Sequence, residues 1–381
     1  MTTLYLVRHC QAEGNIYRRI HGVYDSAVTP LGRRQIDALA ERFRDIPVDA
    51  LYASNLRRTQ ETAGAILKYH ALPLQIEPRL HELDTGVWED RPFGDVAHED
   101  PQSLWRFNND PAAWSAEGSE AYSDLQRRMR EAVGELVARH RGQTVVCVSH
   151  GMAIRGLLAS YMNLPSADIR SLPHGDNTAV SLVTFDENDA PHVEYINDTA
   201  HLPTELSTFA RQSWWKNGKF PDPGNVYFRP LDPARYPRTY TEFYRKTWEA
   251  VHGDLEGFCP QVYLASAIRH AKADPRALMT IHRPDGETVG VIELDPQRGA
   301  FRGYGWICLC YVEEKDRRGL LGIQLIGHAV SVFRALGRQS IRLTVYEGNE
   351  TAREFYESAE FAVVGEEEGT KGRLLVMEKQ I

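Results

Sequence analysis

The sequence lacks several features that would assign it to a class at once. No apolar run approaches the length of a bilayer span, and residues 1–4 are not a basic segment followed by a long apolar one, so neither membrane insertion nor export is expected. The formal net charge of -8 argues against general binding to nucleic acid or to anionic membranes. No internal repeat or low-complexity tract is present.

Cysteine is also scarce, and its pattern excludes the usual disulfide and zinc frameworks. The count is odd, the positions are scattered and there is no C-x-x-C pair. This pattern predicts reduced thiols in a cytoplasmic compartment and no structural zinc. The five positions are Cys10, Cys147, Cys259, Cys308 and Cys310.

What remains is an ordinary globular composition on a long chain. The 381 residues are 42% hydrophobic and 25% charged. A chain of this length is expected to form two domains, each large enough to bury its own core. Apolar strand-like runs alternate with helical patterns, which predicts an α/β fold.

The first such run leads directly into two residues that can carry chemistry. Residues 4–7 are four consecutive apolar residues, typical of a buried strand in a parallel sheet, and Arg8 and His9 follow at its end. Open α/β folds bind ligands at this edge. A neutral imidazole is a competent nucleophile towards phosphorus, and a guanidinium offers paired donors to phosphoryl oxygens. Two polar residues that merely follow a strand are the alternative.

Later strand ends repeat the pattern. Residues 48–52 are predicted to form a strand, followed by a helix that Ser54 caps and that carries Arg58 in its first turns. Residues 145–148 predict another buried strand, with His150 just beyond it. Because parallel strands end at one edge of a sheet, the side chains of Arg8, His9, Arg58 and His150 are expected to converge on a positively charged pocket suited to a phosphate dianion.

With these motifs the first part of the chain, roughly residues 1–207, resembles the histidine phosphatase (phosphoglycerate mutase-like) superfamily. The ordered set of motifs is more specific than any one of them. It comprises Leu6-Val7-Arg8-His9 with Asn15, Leu31-Gly32-Arg33-Arg34-Gln35, residues 54–63, Glu82 with residues 83–89, Glu120 with Asp124, Ser149-His150-Gly151, and residues 197–202.

The resemblance implies a three-layer α/β/α domain with a mostly parallel sheet, and it implies roles for particular residues. His9 would become a phosphohistidine, and Arg8, Arg58 and His150 would hold the phosphoryl oxygens. Glu82 would protonate the leaving oxygen and then activate water, which requires partial burial beside Leu80, Leu83 or Trp88. Asn15 would also bind phosphate. A solvated loop acid is the alternative for Glu82.

The sequence departs from the family pattern at two positions, Cys10 and Asp90, where glycine is usual. Cys10 is expected to be a small filler, and Asp90 puts the loop geometry after residue 89 in question. Mutases protect the phosphohistidine from water with extra segments. Because residues 88–126 contain only a modest insertion, with Trp105 and Trp114 in it, we favour hydrolysis.

The organisation changes after a region rich in helix breakers. Domain boundaries are predicted at 1–207, with a linker over 208–224 and a second domain over 225–381. In the second domain, residues 284–287 predict an antiparallel hairpin between strands at 277–281 and 289–294. Residues 306–312 predict a strand and 323–336 an amphipathic helix, and the basic glycine turn between them would expose backbone N–H groups to an anion.

Together with Asn349-x-x-Ala352-x-x-Phe355-Tyr356, this turn resembles the GNAT family of acyl-CoA N-acyltransferases over roughly residues 225–381. The resemblance implies an α+β domain with a mixed sheet and acetyl-CoA as cosubstrate. Tyr356 would protonate the departing thiolate. The implied cofactor-binding residues are Val312, Arg317, Arg318, Gly319, Leu321, Gly322, Asn349 and Tyr356.

Here too the pattern is incomplete. Leu320 and Glu360 occupy positions where the family has glycine. No base is evident: Glu293 on the hairpin strand is a candidate, and an ordinary strand carboxylate is as good an interpretation. For Tyr356, packing on the helix face is the alternative to catalysis.

The leading hypothesis is therefore a bifunctional cytoplasmic enzyme, a phosphomonoesterase joined to an N-acetyltransferase, with a small phosphorylated metabolite and a small amine as substrates. No metal is implied, because arginines and histidines supply the positive charge. No nucleic-acid or membrane partner is expected. The alternatives are a phosphatase with a non-catalytic acyl-CoA-binding or docking module, and a phosphoglycerate-type mutase.

Overall fold

The computed structural model describes residues 1–212, 220–317 and 319–381. They form two compact units. The first comprises Met1–Pro92 and Val96–Asp222, and the second Phe93–Asp95 and Pro223–Ile381. The boundaries expected from the sequence stay a prediction, and residues 213–219 of the expected linker lie outside the described residues. In the described part of the chain, no helix is long and apolar enough to cross a membrane.

The first unit is built on one sheet. Its strands are β1 (Thr2–Arg8), β2 (Ala50–Ala53), β3 (Leu74–Ile76), β4 (Thr144–Ser149), β5 (Val180–Phe185) and β6 (Pro191–Asp198). Their order is β3-β2-β4-β1-β5-β6. Strands β3, β2, β4 and β1 are mutually parallel, whereas β5 and β6 are antiparallel additions at the β1 side. The expected α/β fold with a mostly parallel sheet is confirmed.

Helices connect these strands, and local sequence explains where they begin. They are α1 (Glu13–Tyr17), α2 (Pro30–Phe43), α3 (Arg57–Leu67), α4 (Phe93–Glu99), α5 (Pro101–Asn109), α6 (Tyr122–Arg139) and α7 (Gly151–Tyr161), and the first three residues of α4 are counted with the second unit. At α2 the Thr29 hydroxyl accepts a hydrogen bond from the Gly32 N–H, and Pro30 occupies the first turn. Leu39 and Phe43 of α2 pack with Val7, Leu51 and Val146 in the core.

One predicted helix start is wrong. Helix α3 begins at Arg57, with Leu56 as its N-cap residue and no side-chain cap. The Ser54 hydroxyl accepts from the Leu56 N–H at 3.3 Å, before the helix begins, and also lies 2.8 Å from the Nε2 atom of His150. Ser54 therefore combines a local turn contact with a tertiary hydrogen bond.

The second unit is built on a mixed sheet. Its strands are β7 (Tyr227–Pro230), β8 (Leu278–His282), β9 (Thr288–Asp295), β10 (Tyr304–Val312), β11 (Ser340–Tyr346), β12 (Ala362–Gly369) and β13 (Gly372–Gln380). Their order is β12-β13-β11-β10-β9-β8-β7. Only the β10–β11 pair is parallel among the described strand pairs. The predicted mixed sheet and the β8–β9 hairpin are confirmed.

Helices cover this sheet at four places within the described residues. They are α8 (Pro237–His252), α9 (Pro260–Ala273), α10 (Leu321–Ala335) and α11 (Glu350–Ser358). Tyr240 and Phe243 of α8 pack with Leu278, Val291 and Leu309 of the sheet in one buried cluster. This cluster fixes α8 and α9 over β8, β9 and β10.

Candidate active sites

Strand register brings the predicted phosphatase residues together. In the parallel pairing of β1 with β4, Arg8 lies opposite Ser149, and the His9 N–H donates to the Ser149 carbonyl at 2.9 Å. The pairing of β2 with β4 ends one residue before Ser54. His9, His150 and Ser54 therefore leave three adjacent strands at the same edge of the sheet.

The hydrogen bonds of His9 define its tautomer. Its ring is 2% exposed, and Nδ1 lies 2.7 Å from the Cys10 carbonyl oxygen. Because a carbonyl only accepts, Nδ1 carries the proton and the lone pair of the neutral ring is on Nε2. Burial, followed by the charges of Arg58 and Arg8, lowers the pKa of His9 well below the ordinary 6.5. The ring is thus held in the form that a nucleophile requires.

Arg58 is a fully buried cation. Its Nη1 donates to the Tyr24 carbonyl at 2.9 Å, and its Nη2 donates to the carbonyls of His21 and Gly22 at 3.0 and 2.7 Å. Burial lowers the pKa of Arg58 to about 10, which leaves the guanidinium charged at neutral pH. The buried Nε of Arg58 has no hydrogen-bond partner among the described residues. An oxyanion is the ligand that would complete such a group.

His150 is oriented from both sides. Arg58 Nη2 donates to its Nδ1 at 3.1 Å, so the ring proton is on Nε2, which contacts the Ser54 hydroxyl. That hydroxyl lies 2.8 Å from the Thr59 hydroxyl. Burial and then the charge of Arg58 lower the pKa of His150 well below 6.5. The His9 and His150 ring centroids are 5.2 Å apart.

Arg8 and Glu82 both lie against Gly151. A Cβ atom on Gly151 would lie 3.4 Å from Arg8 Nε and 3.7 Å from Glu82 Oε2. Arg8 donates through Nη1 to the Gly175 carbonyl, and its buried Nε has no partner within the described part of the chain. Burial lowers the pKa of Arg8, while the carboxylates of Asp176 and Glu82 oppose that shift. Arg8 therefore has a buried Nε–H group without an acceptor among the residues that the structure describes, as Arg58 has.

Glu82 is half-buried and caps helix α7. Its Oε1 accepts from the N–H groups of Leu83 and Ala153, and its Oε2 from that of Met152, each at 2.9 Å. These bonds hold the carboxylate beside the helix N-terminus that follows His150. These three bonds leave one acceptor site on Oε2, where the proton of the predicted transfer would be carried.

Asn15 reaches the site through two residues that the sequence did not single out. Its Nδ2 donates to His21 Nε2 at 3.2 Å, and its Oδ1 accepts from Asn177 Nδ2 at 3.4 Å. The His21 ring stands edge-on to His9 at 5.7 Å, and Asn177 donates to the His9 carbonyl at 3.0 Å. Neither residue lies in a strand-end motif, so only the tertiary structure identifies them.

The two departures from the family pattern have different outcomes. Cys10 is fully buried, its N–H donates to the Thr62 hydroxyl at 2.9 Å, and burial raises the pKa of its thiol to about 12. Asp90 adopts the left-handed region with φ of 58°, and its carboxylate accepts from Arg19 Nε at 2.7 Å. The loop thus keeps a glycine-like backbone without glycine.

A shallow recess of about 320 Å³, including its open mouth, lies beside Arg8. Its walls are largely apolar. They are formed by Gly151, Ile154, Arg155, Leu158, Leu172, Pro173, Gly175, Ile196 and Asn197.

In the second unit, strands β10 and β11 separate part-way along their length. Their parallel pairing covers only Tyr304–Trp306 against Ser340–Arg342, whereas β10 continues to Val312 and β11 to Tyr346. Beyond Trp306, β10 pairs with β9 and β11 pairs with β13. A gap therefore opens between these two neighbouring strands of the sheet.

The basic turn predicted to bind an anion of the cosubstrate lies at the start of α10. The helix has no side-chain cap, so its first N–H groups are available to a ligand. A Cβ atom on Gly322 would meet the Phe355 ring at 3.0 Å, so glycine here permits close packing of α10 on α11. Arg317 Nε donates to the Val312 carbonyl at 3.0 Å, Gly319 is exposed, and Leu321 is buried. Arg318 lies outside the described residues.

The remaining predicted acetyltransferase residues lie on and before α11. The Asn349 side chain caps that helix by accepting from the Ala352 N–H at 3.1 Å. Burial raises the pKa of Tyr356 well above 10, and the adjoining Cys310 thiol of β10 contributes. The Tyr356 hydroxyl therefore remains protonated at neutral pH and adjoins the part of β10 that has separated from β11.

Glu293, the candidate base, is 1% exposed and lies in a polar network. Its Oε1 is 2.8 Å from His270 Nδ1, and its Oε2 accepts from the Tyr240 hydroxyl at 2.8 Å. His270 Nε2 lies 3.2 Å from Asp295. Although burial opposes it, hydrogen bonding with Asp295, Cys308 and Glu293 raises the pKa of His270 to about 11.

With this geometry established, comparison with known proteins gives the family. The family model of the histidine phosphatase superfamily (branch 1) matches residues 4–199, and the chain belongs to this superfamily. A model of the acetyltransferase (GNAT) domain matches residues 246–381. Both resemblances found in the sequence are confirmed. The chain therefore joins a histidine phosphatase domain to a GNAT acetyltransferase domain, which implies small-molecule substrates and the use of acetyl-CoA.

Individual relatives match the first unit. The chain is 36% identical over 209 residues to a Yersinia pestis protein named probable phosphoglycerate mutase GpmB, which covers 53% of this chain and 95% of that protein. The solved structure of Bacillus stearothermophilus YhfR is 32% identical with a TM-score of 0.51, covering 53% and 99% of the two chains. Mycobacterial hydrolase 1 is 27% identical with a TM-score of 0.50, covering 52% and 99%.

Proposed function

We propose that the first unit hydrolyses phosphomonoesters through a phosphohistidine on His9. The observation that carries this proposal is the fixed tautomer of His9, whose Nε2 lone pair is free beside Arg8, Arg58 and His150. The two guanidinium groups supply the positive charge that a phosphoryl group requires, and the Nε–H group of each has no acceptor among the described residues.

The reaction has two balanced steps. His9 Nε2 attacks phosphorus, the P–O bond to the organic group breaks, and the leaving oxygen takes a proton from Glu82. Water then attacks phosphorus as Glu82 takes its proton, the P–N bond breaks, and phosphate leaves. Arg8 and Arg58 hold the three oxygens of the transferred phosphoryl group in both steps, with Asn15 as a further donor. His150 joins them when its Nε2–H exchanges the Ser54 hydroxyl for a phosphoryl oxygen.

The variant His9→Ala tests this proposal with p-nitrophenyl phosphate as the substrate. We expect its hydrolysis to fall to the background rate, because no other neutral imidazole nitrogen is free in this network. His192→Ala is the matched control, since that ring is exposed on β6. Activity of His9→Ala near the wild-type rate would remove His9 as the nucleophile.

A mutase is the second candidate, because the Yersinia relative is named a probable phosphoglycerate mutase. Both reactions pass through the same phosphohistidine and differ in the group that accepts the phosphoryl. Incubation with 3-phosphoglycerate followed by phosphorus NMR separates them. We expect inorganic phosphate, whereas accumulation of the isomeric phosphate ester would establish the mutase.

We infer that the second unit transfers the acetyl group of acetyl-CoA to a small amine. The amine nitrogen attacks the thioester carbonyl, the C–N bond forms, the C–S bond breaks, and the departing thiolate takes a proton from Tyr356. The proton that the amine nitrogen loses passes through water to the tyrosinate and restores Tyr356. The separation of β10 from β11 and the uncapped start of α10 support this proposal. Pyrophosphate would bind the N–H groups of residues 319–322 together with Arg317 and Arg318, and Val312 and Asn349 would adjoin the pantetheine arm.

A screen of the intact protein tests both activities at once. Candidate phosphorylated amines and amino sugars are supplied with acetyl-CoA, and phosphate and free thiol are measured separately. Release of both from one metabolite would support two steps on a shared substrate. Binding of acetyl-CoA with no thiol release for any amine would favour the alternative, a docking module. We also propose that the phosphatase domain comprises residues 1–207 and the acetyltransferase domain residues 225–381, with residues 208–224 as the linker.

A further inference from the structure

The second unit contains a buried cluster that neither proposed activity uses. It consists of His270 from α9, Glu293 and Asp295 from β9, Cys308 from β10, and Tyr240 from α8. The side chains of Glu293, His270 and Asp295 are 2%, 10% and 20% exposed. All five side chains are ionisable, and His270, Glu293 and Cys308 offer ligand atoms of three different elements, which is unusual for a hydrophobic core.

A β-bulge brings Cys308 into this cluster. In the pairing of β10 with β9, Ile307 lies opposite Leu294 and Leu309 opposite Glu293, so Cys308 is the extra residue. A bulge redirects the side chain of the inserted residue and breaks the strict alternation of faces. The Cys308 sulfur is therefore close to His270 and Glu293, whereas Cys310, two residues on, adjoins Tyr356.

Three potential ligand atoms lie close together, and further polar groups stand behind two of them. One atom from each of His270, Glu293 and Cys308 lies within 4.8 Å of the others. The remaining nitrogen of His270 lies 3.2 Å from Asp295, and the remaining oxygen of Glu293 accepts from the Tyr240 hydroxyl at 2.8 Å. Histidine and carboxylate ligands are commonly fixed in this way by a carboxylate or a hydroxyl behind them.

We propose that this cluster binds a divalent cation of the zinc class. His270 Nδ1, Glu293 Oε1 and Cys308 Sγ are the ligands, and Asp295 and Tyr240 orient the first two. One imidazole, one carboxylate and one thiolate form the mixed nitrogen, oxygen and sulfur set that suits tetrahedral Zn²⁺ or Co²⁺, and hard ions such as Mg²⁺ or Ca²⁺ bind such a set poorly. Three protein ligands leave the fourth position for water or a substrate atom.

Binding exchanges protons for the metal. The ion replaces the proton between His270 Nδ1 and Glu293 and the proton of the Cys308 thiol, while the Nε2 proton stays between His270 and Asp295. No oxidant or reductant is involved. Because Cys308 is the partly exposed ligand, entry and the fourth position lie on its side.

Cobalt titration of the full-length protein tests the site. The protein is stripped with a chelator, dialysed and titrated with Co²⁺ alone. We expect one equivalent to bind with the intense visible bands of tetrahedral cobalt and a thiolate-to-cobalt charge-transfer absorption. Failure to bind one equivalent, or binding without the charge-transfer band, would overturn the proposal in favour of a proton-held polar network.

Variants identify the ligands. Cys308→Ser should abolish the charge-transfer band, whereas the matched variant Cys310→Ser on the same strand should leave the titration unchanged. Asp295→Asn retains all three ligands and should weaken binding by roughly 10- to 100-fold with the band retained. A charge-transfer band that persists in Cys308→Ser would contradict the assignment. If that variant does not fold, wild-type affinity in Asp295→Asn would contradict it equally.

Discussion

The two candidate active sites differ in whether side chains or backbone groups form them. In the first unit the chemistry lies in buried side chains, and Arg58 alone donates to three carbonyls and one imidazole. In the second unit the expected cosubstrate site is mostly backbone: two separated strands, the free N–H groups of α10, and Gly322 packed on Phe355. The first site should therefore fail when one side chain is changed, and the second should tolerate more.

The largest expected effect tests that difference at Arg58. The variant Arg58→Ala should lower kcat for phosphate-ester hydrolysis by roughly 10³-fold or more, because it removes a buried cation from the phosphoryl site and leaves the His150 Nδ1 atom without its donor. Arg57→Ala is the control, since Arg57 precedes it on α3 and is largely exposed. Acetyl transfer should be unchanged in both variants. A loss of kcat smaller than tenfold in Arg58→Ala would contradict the view that individual side chains form this site.

The next effect concerns stability in acid. His9, His21 and His150 are neutral in the folded unit because burial, followed by nearby arginine charge, lowers each pKa well below 6.5. The unfolded chain takes up these protons near pH 6.5, so the free energy of unfolding falls as the pH falls below that value. Each group contributes up to about 1.4 kcal/mol for each pH unit.

Thermal unfolding between pH 7.5 and 5.5 measures this dependence. The transition of the first unit should shift down with acid, and the shift should be smaller in His21→Asn, which removes one of the buried imidazoles. An equal slope in the wild type and this variant would mean that the pKa of His21 is the same in the folded and unfolded states, which would contradict its lowering by burial.

In the acetyltransferase unit, Tyr356→Phe should lower kcat for thiol release by roughly 100-fold with little change in KM for acetyl-CoA, because only the proton donor is lost. Tyr236→Phe is the control, since that residue is exposed. An unchanged kcat would assign Tyr356 to packing against Phe361, whose ring centroid is 5.6 Å away.

The smallest effects concern two acidic residues that stand where the family has glycine. Asp90 and Glu360 both have positive φ, at 58° and 68°, and each pairs with a buried cation, Arg19 or Lys379. Replacement by alanine removes the pair and keeps the strained backbone, so each should cost about 1–2 kcal/mol. Replacement by glycine relieves the strain and should cost less. Equal losses for alanine and glycine, measured by chemical unfolding, would contradict a role for backbone strain.

Prediction from sequence succeeded where the important residues lie at the end of a strand or at the start of a helix. The strand of residues 4–7, the Thr29 cap and the position of His150 after β4 all follow from local periodicity and capping. These signals are contained within a few residues. Strands β1, β2 and β4, three of the six strands in the first sheet, and the convergence of His9, Arg58 and His150 could be anticipated in this way.

What could not be predicted depends on contacts between distant segments. Ser54 does not cap α3, and its hydroxyl contacts both the Leu56 N–H and the distant His150. His21 and Asn177 join the site through hydrogen bonds to Asn15, one of which spans 162 residues. The β-bulge at Cys308 cannot be predicted from local sequence, because it depends on how β10 pairs with β9. Strands β12 and β13 were also missed: β12 carries an exposed acidic run that resembles a solvated loop.

The central claim is that a phosphoryl group is transferred to the imidazole of His9, and trapping that intermediate tests it most directly. Wild-type protein is mixed with a phosphorylated substrate, quenched in alkali within one turnover, and digested for mass spectrometry. We predict a phosphoryl group on His9 that is stable in alkali and lost in acid. Phosphorylation of Ser54 or His150 instead, or substrate turnover with no phosphorylated His9 at any quench time, would contradict the account.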